Sequence, residues 1–421
     1  MVFKTEIDEK TPIITSLLDI DFYKFSMGQF AFHKYPDVSV KYASTNRTKK
    51  VRLAEIINEK DLRRELDNVL DLKFNEEETA CLRTLKNNEQ QMFKEDYLAF
   101  LKKLKMPNYD LKVKDGQFVT EFEGPWAKSI YWETLDLSIK NELYYRELTR
   151  GLDKNQMAVV YAEGNRRLEE KFDMFRQNPF ATFLEFGTRR RWSGAWQDNC
   201  VKRAKEEIPN QIIGTSNVKL AMKYGMKPKG TMAHELFMIM SGIMHGSDDE
   251  IRASHQHVLR EWWDEYGKDL SVALTDTYGS NFFFKDMPQD LAEAYNGMRQ
   301  DSGNPRKFAD KEIGFYQERG IDPTKKLFIP SDGLTARKIV DLQAEYRGRI
   351  MQTAGWGTTF TNDFGYGNLS VVVKAVEANG YGTVKLSDNP AKSIGKPEDI
   401  ARFRKIFDYN VAEYETEECL C

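Results

Sequence analysis

The chain has 421 residues, of which 41% are hydrophobic, 12% aromatic and 30% charged, enough for two or three packed units at about 150 residues each. Its 62 Lys and Arg stand against 65 Asp and Glu, a net charge of -3, so it lacks the broad basic field that non-specific nucleic-acid binding needs, and any phosphate binding must be local. The four cysteines, Cys81, Cys200, Cys419 and Cys421, form no CxxC or His-flanked spacing, which argues against a structural zinc or a disulfide framework and fits a reducing, cytoplasmic or nuclear setting.

The opening MVFKTEIDEK interleaves charges too densely for a secretory signal. The most apolar stretch, Phe237 to Met244, falls far short of the roughly 20 residues that a membrane span requires. A soluble intracellular chain is expected. Ser16 or Asp19 is placed to cap a helix through LLDIDFYKFSMGQFAFH, after which Val38, Val40 and Tyr42 alternate as a strand does. Leu53, Ile56, Ile57, Leu66, Val69 and Leu70 follow at helical spacing, and Val113, Phe118, Val119 and Phe122 flank Asp115-Gly116, a hairpin signal. Residues 1–150 therefore read as a mixed α/β domain, with helices from Asp136 to Arg150 and from Asn155 to Phe175 leading out of it.

From Ala181 short apolar runs alternate with amphipathic helices: TFLEF, NQII, MKPKG, SVALT, YNGMR, KLFIP, IMQTA and LSVVVKAV. This rhythm predicts βα units around a parallel sheet, and without a GxGxxG fingerprint an irregular β/α barrel over 151–378 suits it better than an open doubly wound sheet. Tyr381 to Ser387 is expected to return to the first domain as a strand, with 379–421 packing back on it.

The turns at the strand C-termini carry the chemistry. TFLEF runs into Gly187-Thr188-Arg189-Arg190-Arg191, NQII into Gly214-Thr215-Ser216-Asn217, and MKPKG into Thr231-Met232-Ala233-His234-Glu235. SVALT then leads to Asp276-Thr277, and later turns read Arg299-Gln300-Asp301-Ser302-Gly303, Ser331-Asp332-Gly333 and Gly355-Trp356-Gly357-Thr358. In a β/α barrel all these ends meet on one face. Any single Gly-Thr or Ser-Asp-Gly is usually only a turn and helix cap, touching ligand about one time in four, but their coincidence points to a phosphate-bearing substrate. Three arginines at a helix start oppose the helix dipole and call for an external anion. An isolated His is more often structural than catalytic; His234, with Glu235 beside it and Asp276 at another strand end, has the makings of a nucleophile whose tautomer a carboxylate fixes. Asp301 and Asp332 either cap helices or hold ribose hydroxyls or Mg²⁺. His245, His255 and His257 read as surface residues, and Trp192, Trp196, Trp262 and Trp263 as core or interface.

The ordered motifs SLLDIDFYKFSM, EFGTRRR, GTSN, GTMAHE, ALTDTYGS, RQDSGNP, SDGLT and KLSDNPAK resemble those of the nicotinate phosphoribosyltransferase family over nearly the whole chain. The resemblance implies the type II phosphoribosyltransferase fold, an N-terminal α/β sandwich completed by C-terminal chain and joined to an irregular β/α barrel. It implies formation of nicotinate mononucleotide and pyrophosphate from nicotinate and 5-phosphoribosyl 1-pyrophosphate (PRPP), with coupled ATP hydrolysis in NAD salvage and Mg²⁺ as cofactor. By motif, His234 is the residue that ATP phosphorylates and Asp276 its orienting partner. Tyr23, Thr231 and Arg299 match nicotinate-contacting positions, Phe186 would stack on the pyridine ring, and Arg189 would bind the ribose 5-phosphate or the acid. Gly357 and Thr358 match a PRPP phosphate position, Asp301 would hold ribose hydroxyls, and Lys385 and Lys392 would reach the pyrophosphate. Ser216 stands where nicotinamide-using relatives carry Asp, with a hydroxyl suited to a carboxylate. Two positions depart from the family pattern, Trp356 in GWGT and Ala391 in the last motif. Relatives that act on nicotinamide or quinolinate, and a silent phosphosugar-binding protein, are the alternatives. The resemblance also implies a homodimer in which the DFYKFSM segment completes the neighbour's site.

Overall fold

The computed structural model describes residues 11–87 and 89–415. The charged first ten residues and the Cys419/Cys421 tail lie outside them. Among the described residues no helix is long and apolar enough to cross a membrane.

In chain order the strands that position the site are β1 (Ser39–Asn46), β2 (Tyr109–Lys114) and β3 (Gln117–Pro125) in the N-terminal part. The barrel strands are β4 (Phe183–Glu185), β5 (Ile212–Thr215), β6 (Val272–Leu274), β7 (Gly297–Gln300), β8 (Leu327–Pro330), β9 (Met351–Gln352) and β10 (Ala354–Trp356). Last come β11 (Val371–Ala378) and β12 (Tyr381–Gly382).

The N-terminal sheet is antiparallel in the order β12-β11-β1-β3-β2. Its β2–β3 hairpin turns at Asp115 and Gly116, both with positive φ (52° and 73°), the conformation for which Asp-Gly is selected. Along β1 the alternation expected of a half-buried strand is present, with Val40, Tyr42, Ser44 and Asn46 buried. The first helix runs Tyr23–Lys34 rather than from Ser16 or Asp19. Asp19 cannot cap it because its carboxylate accepts from Arg191, at 2.7 and 3.0 Å, and from Asn217.

The parallel strands form two arcs, β10-β4-β5 and β9-β8-β7-β6. Residues 351–356 join them on one side, since β9 pairs with β8 and β10 with β4. On the other side Pro228 bridges to Thr215, and the Thr231 hydroxyl donates to the Val272 carbonyl at 3.0 Å. The result is the irregular β/α barrel, its seams made by short segments rather than by full strands. MKPKG supplies only that bridge.

Two boundaries differ from expectation. LSVVVKAV does not enter the barrel; it becomes β11, paired with β1 from Val40↔Ala378 to Asn46↔Val371, so the return begins before residue 378. Beyond β12 the chain packs on the barrel: Leu386 N–H donates to the Thr277 carbonyl at 2.7 Å, and the Phe407 ring stacks on Tyr278 with centroids 3.8 Å apart. An apolar run carries no mark of which sheet it joins. His255 is buried rather than superficial, bonded to Asp286 at 2.7 Å among Phe237, Phe282 and Phe283.

Candidate active site

The strand ends and the N-terminal sheet enclose a cavity of about 1710 Å³. Tyr23, Phe186, Arg189, Thr231, His234, Arg299, Asp301, Gly357 and Thr358 all line it, as do Asp332, Lys385 and Lys392. Inside the barrel Leu184, Ile213, Val272 and Ile329 face the same space, and Ile213 is 42% exposed although it lies in a barrel strand. The lumen is therefore hollow and apolar beneath the polar rim.

One end of the rim is built around His234, the first residue of the His234–Ile243 helix. Its Nδ1 lies 3.0 Å from the Thr277 hydroxyl, and its Nε2 lies 2.9 Å from Asp301 Oδ2 and 2.7 Å from Lys385 Nζ. Burial, reinforced by the Lys385 ammonium, holds the imidazole down at about 4 against the pull of Asp276 and Asp301, so it is neutral at neutral pH. Nε2 thus meets a donor in the Lys385 ammonium and an acceptor in the Asp301 carboxylate, while the Thr277 hydroxyl can pair with Nδ1 in either tautomer. Asp276 does not occupy the orienting position expected of it: its Oδ1 is 3.7 Å from Nε2, the same nitrogen that Asp301 reaches. Its other oxygen accepts from the Ser302 and Ser387 hydroxyls. Burial disfavours the charge on Asp301, yet Arg299, His234 and Lys385 hold its carboxyl well below the usual range. Burial brings Lys385 down to about 8 despite both aspartates.

The other end is the corner where the sequence places the substrate acid, which we call the acid corner. The Arg189 guanidinium lies 5.8 Å from the Tyr23 ring centroid, with Nε 3.1 Å from Asp21 and Nη1 3.8 Å from Glu133. Phe186 lines the wall beside β10, its N–H donating to the Trp356 carbonyl at 2.8 Å. Gly230, with φ 156°, brings its loop so near Tyr23 that a Cβ would come within 3.2 Å of the Tyr23 nitrogen.

Ser216 does not reach the cavity. It is fully buried, its hydroxyl donates to Asp21 Oδ1 at 2.5 Å, and its N–H donates to the Glu185 carbonyl at 2.8 Å. It touches that corner only at one remove, through Asp21, which pairs with Arg189, and Ser216→Asp would set a second carboxylate against Asp21. Like charges at about 4 Å repel by roughly 4 kcal/mol at an effective dielectric near 20, and Arg189 would be drawn inward to compensate. With nicotinate as the substrate that the motif resemblance implies, the expected result is a fall of at least about tenfold in kcat/KM for it and a narrowed ratio to nicotinamide. Assays of both substrates on both proteins decide it, and an unchanged ratio refutes the route.

The departures from the family pattern are absorbed locally. The Trp356 ring turns out of the cavity into a cluster with Phe175, Phe183 and Phe360, its indole N–H donating to Thr359 at 2.6 Å, which leaves Gly355 and Gly357 on the rim. Ala391 is exposed in the short right-handed turn Pro390–Lys392, a conformation that needs no glycine. Ser331 lines the cavity as its turn predicts, and Arg47, Glu133 and Lys374 also line it without having been expected there. A charge inside the apolar runs WETLDL and LSVVVKAV was the available signal for Glu133 and Lys374.

Behind the rim, burial and the Asp276 charge push the Asp388 carboxyl up to about 7, against about 3.9 for an exposed Asp. The folded chain thus prefers the protonated acid. That preference is fully met below about pH 4 and lost as pH rises through 7. Asp388→Asn retains an acceptor for the Ser280 N–H, now bonded at 2.7 Å. It is expected to raise Tm over wild type at pH 8 and to match it at pH 4, and a difference that does not change with pH excludes this titration.

Residues 181–411 match the nicotinate phosphoribosyltransferase (NAPRTase) family, and residues 18–141 match the N-terminal domain of that family. The chain is similar to the crystal structure of nicotinate phosphoribosyltransferase from Vibrio cholerae, with 30% identity and a TM-score of 0.84 over 97% of this chain and 96% of that one. It is likewise similar to the enzyme from Porphyromonas gingivalis, with 28% identity and a TM-score of 0.83 over 94% of this chain and 100% of that one.

Proposed function

The chain belongs to the nicotinate phosphoribosyltransferase family, making nicotinate mononucleotide and pyrophosphate from nicotinate and PRPP in NAD salvage, and we propose that ATP drives this reaction through a phosphate carried on His234. The observation that carries the proposal is the position of His234 on the cavity rim, its Nε2 between Asp301 and Lys385, facing the same space as the Tyr23–Phe186–Arg189 corner.

In the transfer step the nicotinate ring nitrogen attacks C1 of the ribose as the C1–O bond to pyrophosphate breaks, through an oxocarbenium-like transition state. The work of the protein is to align the two reactants and to stabilise the departing charge. Phe186 and Tyr23 would flank the pyridine ring while Arg189 takes its carboxylate. Arg299 would take the substrate acid or a phosphate, Lys385 and Lys392 would face the phosphates with Gly357 and Thr358 at the loop between β10 and the next short helix, and Asp301 would hold ribose hydroxyls. In the coupled step Nε2 attacks the γ-phosphorus of ATP and ADP leaves. The resulting phosphate, about two negative charges beside Lys385 at a helix start, is stabilised there and disfavours Asp301 in its present position. Water later removes it as inorganic phosphate, returning the neutral imidazole.

Mg²⁺ fits the same rim: Asp276 Oδ1 is buried without a hydrogen-bond partner, and ligand atoms of His234, Asp276 and Asp301 lie within 4.8 Å of one another. The two carboxylates would hold the ion, which would supply charge neutralisation for pyrophosphate.

Turnover with nicotinate, nicotinamide and quinolinate, each with PRPP and with or without ATP, tests the reading. Nicotinate is expected to be used, with ATP stimulating. Turnover of either alternative in preference, or turnover indifferent to ATP, overturns the corresponding part.

A further inference from the structure

Lys24 follows Tyr23 in the sequence and its ammonium is completely buried, 2.6 Å from Glu133 Oε2 and 2.5 Å from Glu235 Oε2. Its two partners face different functions. Glu133 lines the cavity at the acid corner, where its other oxygen is 2.9 Å from Lys374 and 3.8 Å from Arg189. Glu235 is adjacent to His234 in the first turn of its helix, and its second oxygen accepts from the Tyr42 hydroxyl at 2.7 Å and the Trp126 indole at 2.9 Å. Asp21, Glu133 and Glu235 are thus matched in number by Lys24, Arg189 and Lys374.

An arriving substrate carboxylate competes for Arg189 and Lys374, the two cations of the set that reach the cavity. Glu133 must then draw on Lys24, which it shares with Glu235. Desolvated charges are stiffly coupled, since a buried carboxylate that loses its partner is costly. The shift is therefore felt at the helix turn that carries His234. We infer that Lys24 is a positioning residue that couples occupancy of the acid site to the placement of His234 through Glu235. This rests on the reading that both sites serve one ATP-coupled reaction.

The measured quantity is the ratio of ATP hydrolysis with nicotinate and PRPP to that with PRPP alone, in wild type, Glu235→Gln, Lys24→Met and the double variant. Glu235→Gln keeps an acceptor for Tyr42 and Trp126 while turning an amide NH2 toward Lys24, so it removes both the charge and the acceptor that Glu235 offers Lys24. Each single variant is expected to reduce the ratio at least about fivefold, the lower edge of ordinary coupling energies, through kcat rather than through KM for ATP. The double variant removes one charge of each sign, so its Tm should recover over that of Lys24→Met while the ratio stays low. A ratio that recovers along with Tm, or that remains at the wild-type value in Glu235→Gln, makes the network merely structural and overturns the inference. A wild type that hydrolyses no ATP even with both substrates instead sinks the underlying reading, and the inference with it.

Discussion

His234→Ala is expected to abolish ATP hydrolysis, by at least about a thousandfold, while a slow PRPP-dependent transfer to nicotinate survives. In the proposed coupled step the imidazole Nε2 is the nucleophile; the groups around it are an ammonium, a carboxylate and the Thr277 hydroxyl. Removing it takes away the phosphate acceptor and leaves the acid corner untouched, because Arg189, Tyr23 and Phe186 are held by other elements. Asp301 and Lys385, already 3.9 Å apart, can then close into a direct pair, so the fold loses little. Acid-labile phosphate on the variant, or ATP stimulation equal to wild type, would falsify the assignment.

Arg299→Ala carries the second large effect. Arg299, the penultimate residue of β7, lines the cavity with its side chain 16% exposed, and its nearest carboxylate, Asp301, is 4.0 Å away. Its Nε is buried without a hydrogen-bond partner. A guanidinium so lightly committed within the protein is prepared for an anion from outside, the substrate acid or a phosphate, and its planar fork suits either. Truncation would leave that anion partly desolvated and unpaired, a loss of roughly 3 kcal/mol in transition-state binding, or about 150-fold in kcat/KM. A change below tenfold assigns the anion to other residues.

Much of this site was legible because its residues follow strands, and strand ends in a β/α barrel converge whatever the intervening helices do. Asp115-Gly116 announced the hairpin for a similar local reason. The features that stayed hidden depend on partners far away in sequence. Asp19 looked like a helix cap until Arg191, 172 residues on, claimed it. Ser216 sat in the expected loop, yet its hydroxyl turns to Asp21, 195 residues earlier. Lys24 and Glu133 are separated by more than a hundred positions, and no periodicity marks a buried ion pair. Asp276 stands at the expected strand end and still approaches the other ring nitrogen, because its second oxygen is tied to Ser302 and Ser387. Motif order found the neighbourhood, and side-chain hydrogen bonding then distributed the roles.

The position of β11 between β1 and β12 has a consequence for biosynthesis. The strand that completes the N-terminal sheet is made after nearly the whole barrel, roughly 250 residues behind β3. At about 5–20 residues per second this is a delay on the order of 12 to 50 s. Through that interval a ribosome-bound β1 presents the edge along which Val40 to Asn46 will later pair with Ala378 to Val371, an open template for any other strand nearby. Tyr42 meanwhile waits for Glu235, its hydrogen-bond acceptor, also still to be translated. The first domain to emerge is consequently among the last to close, and a chain released early exposes an unpaired edge.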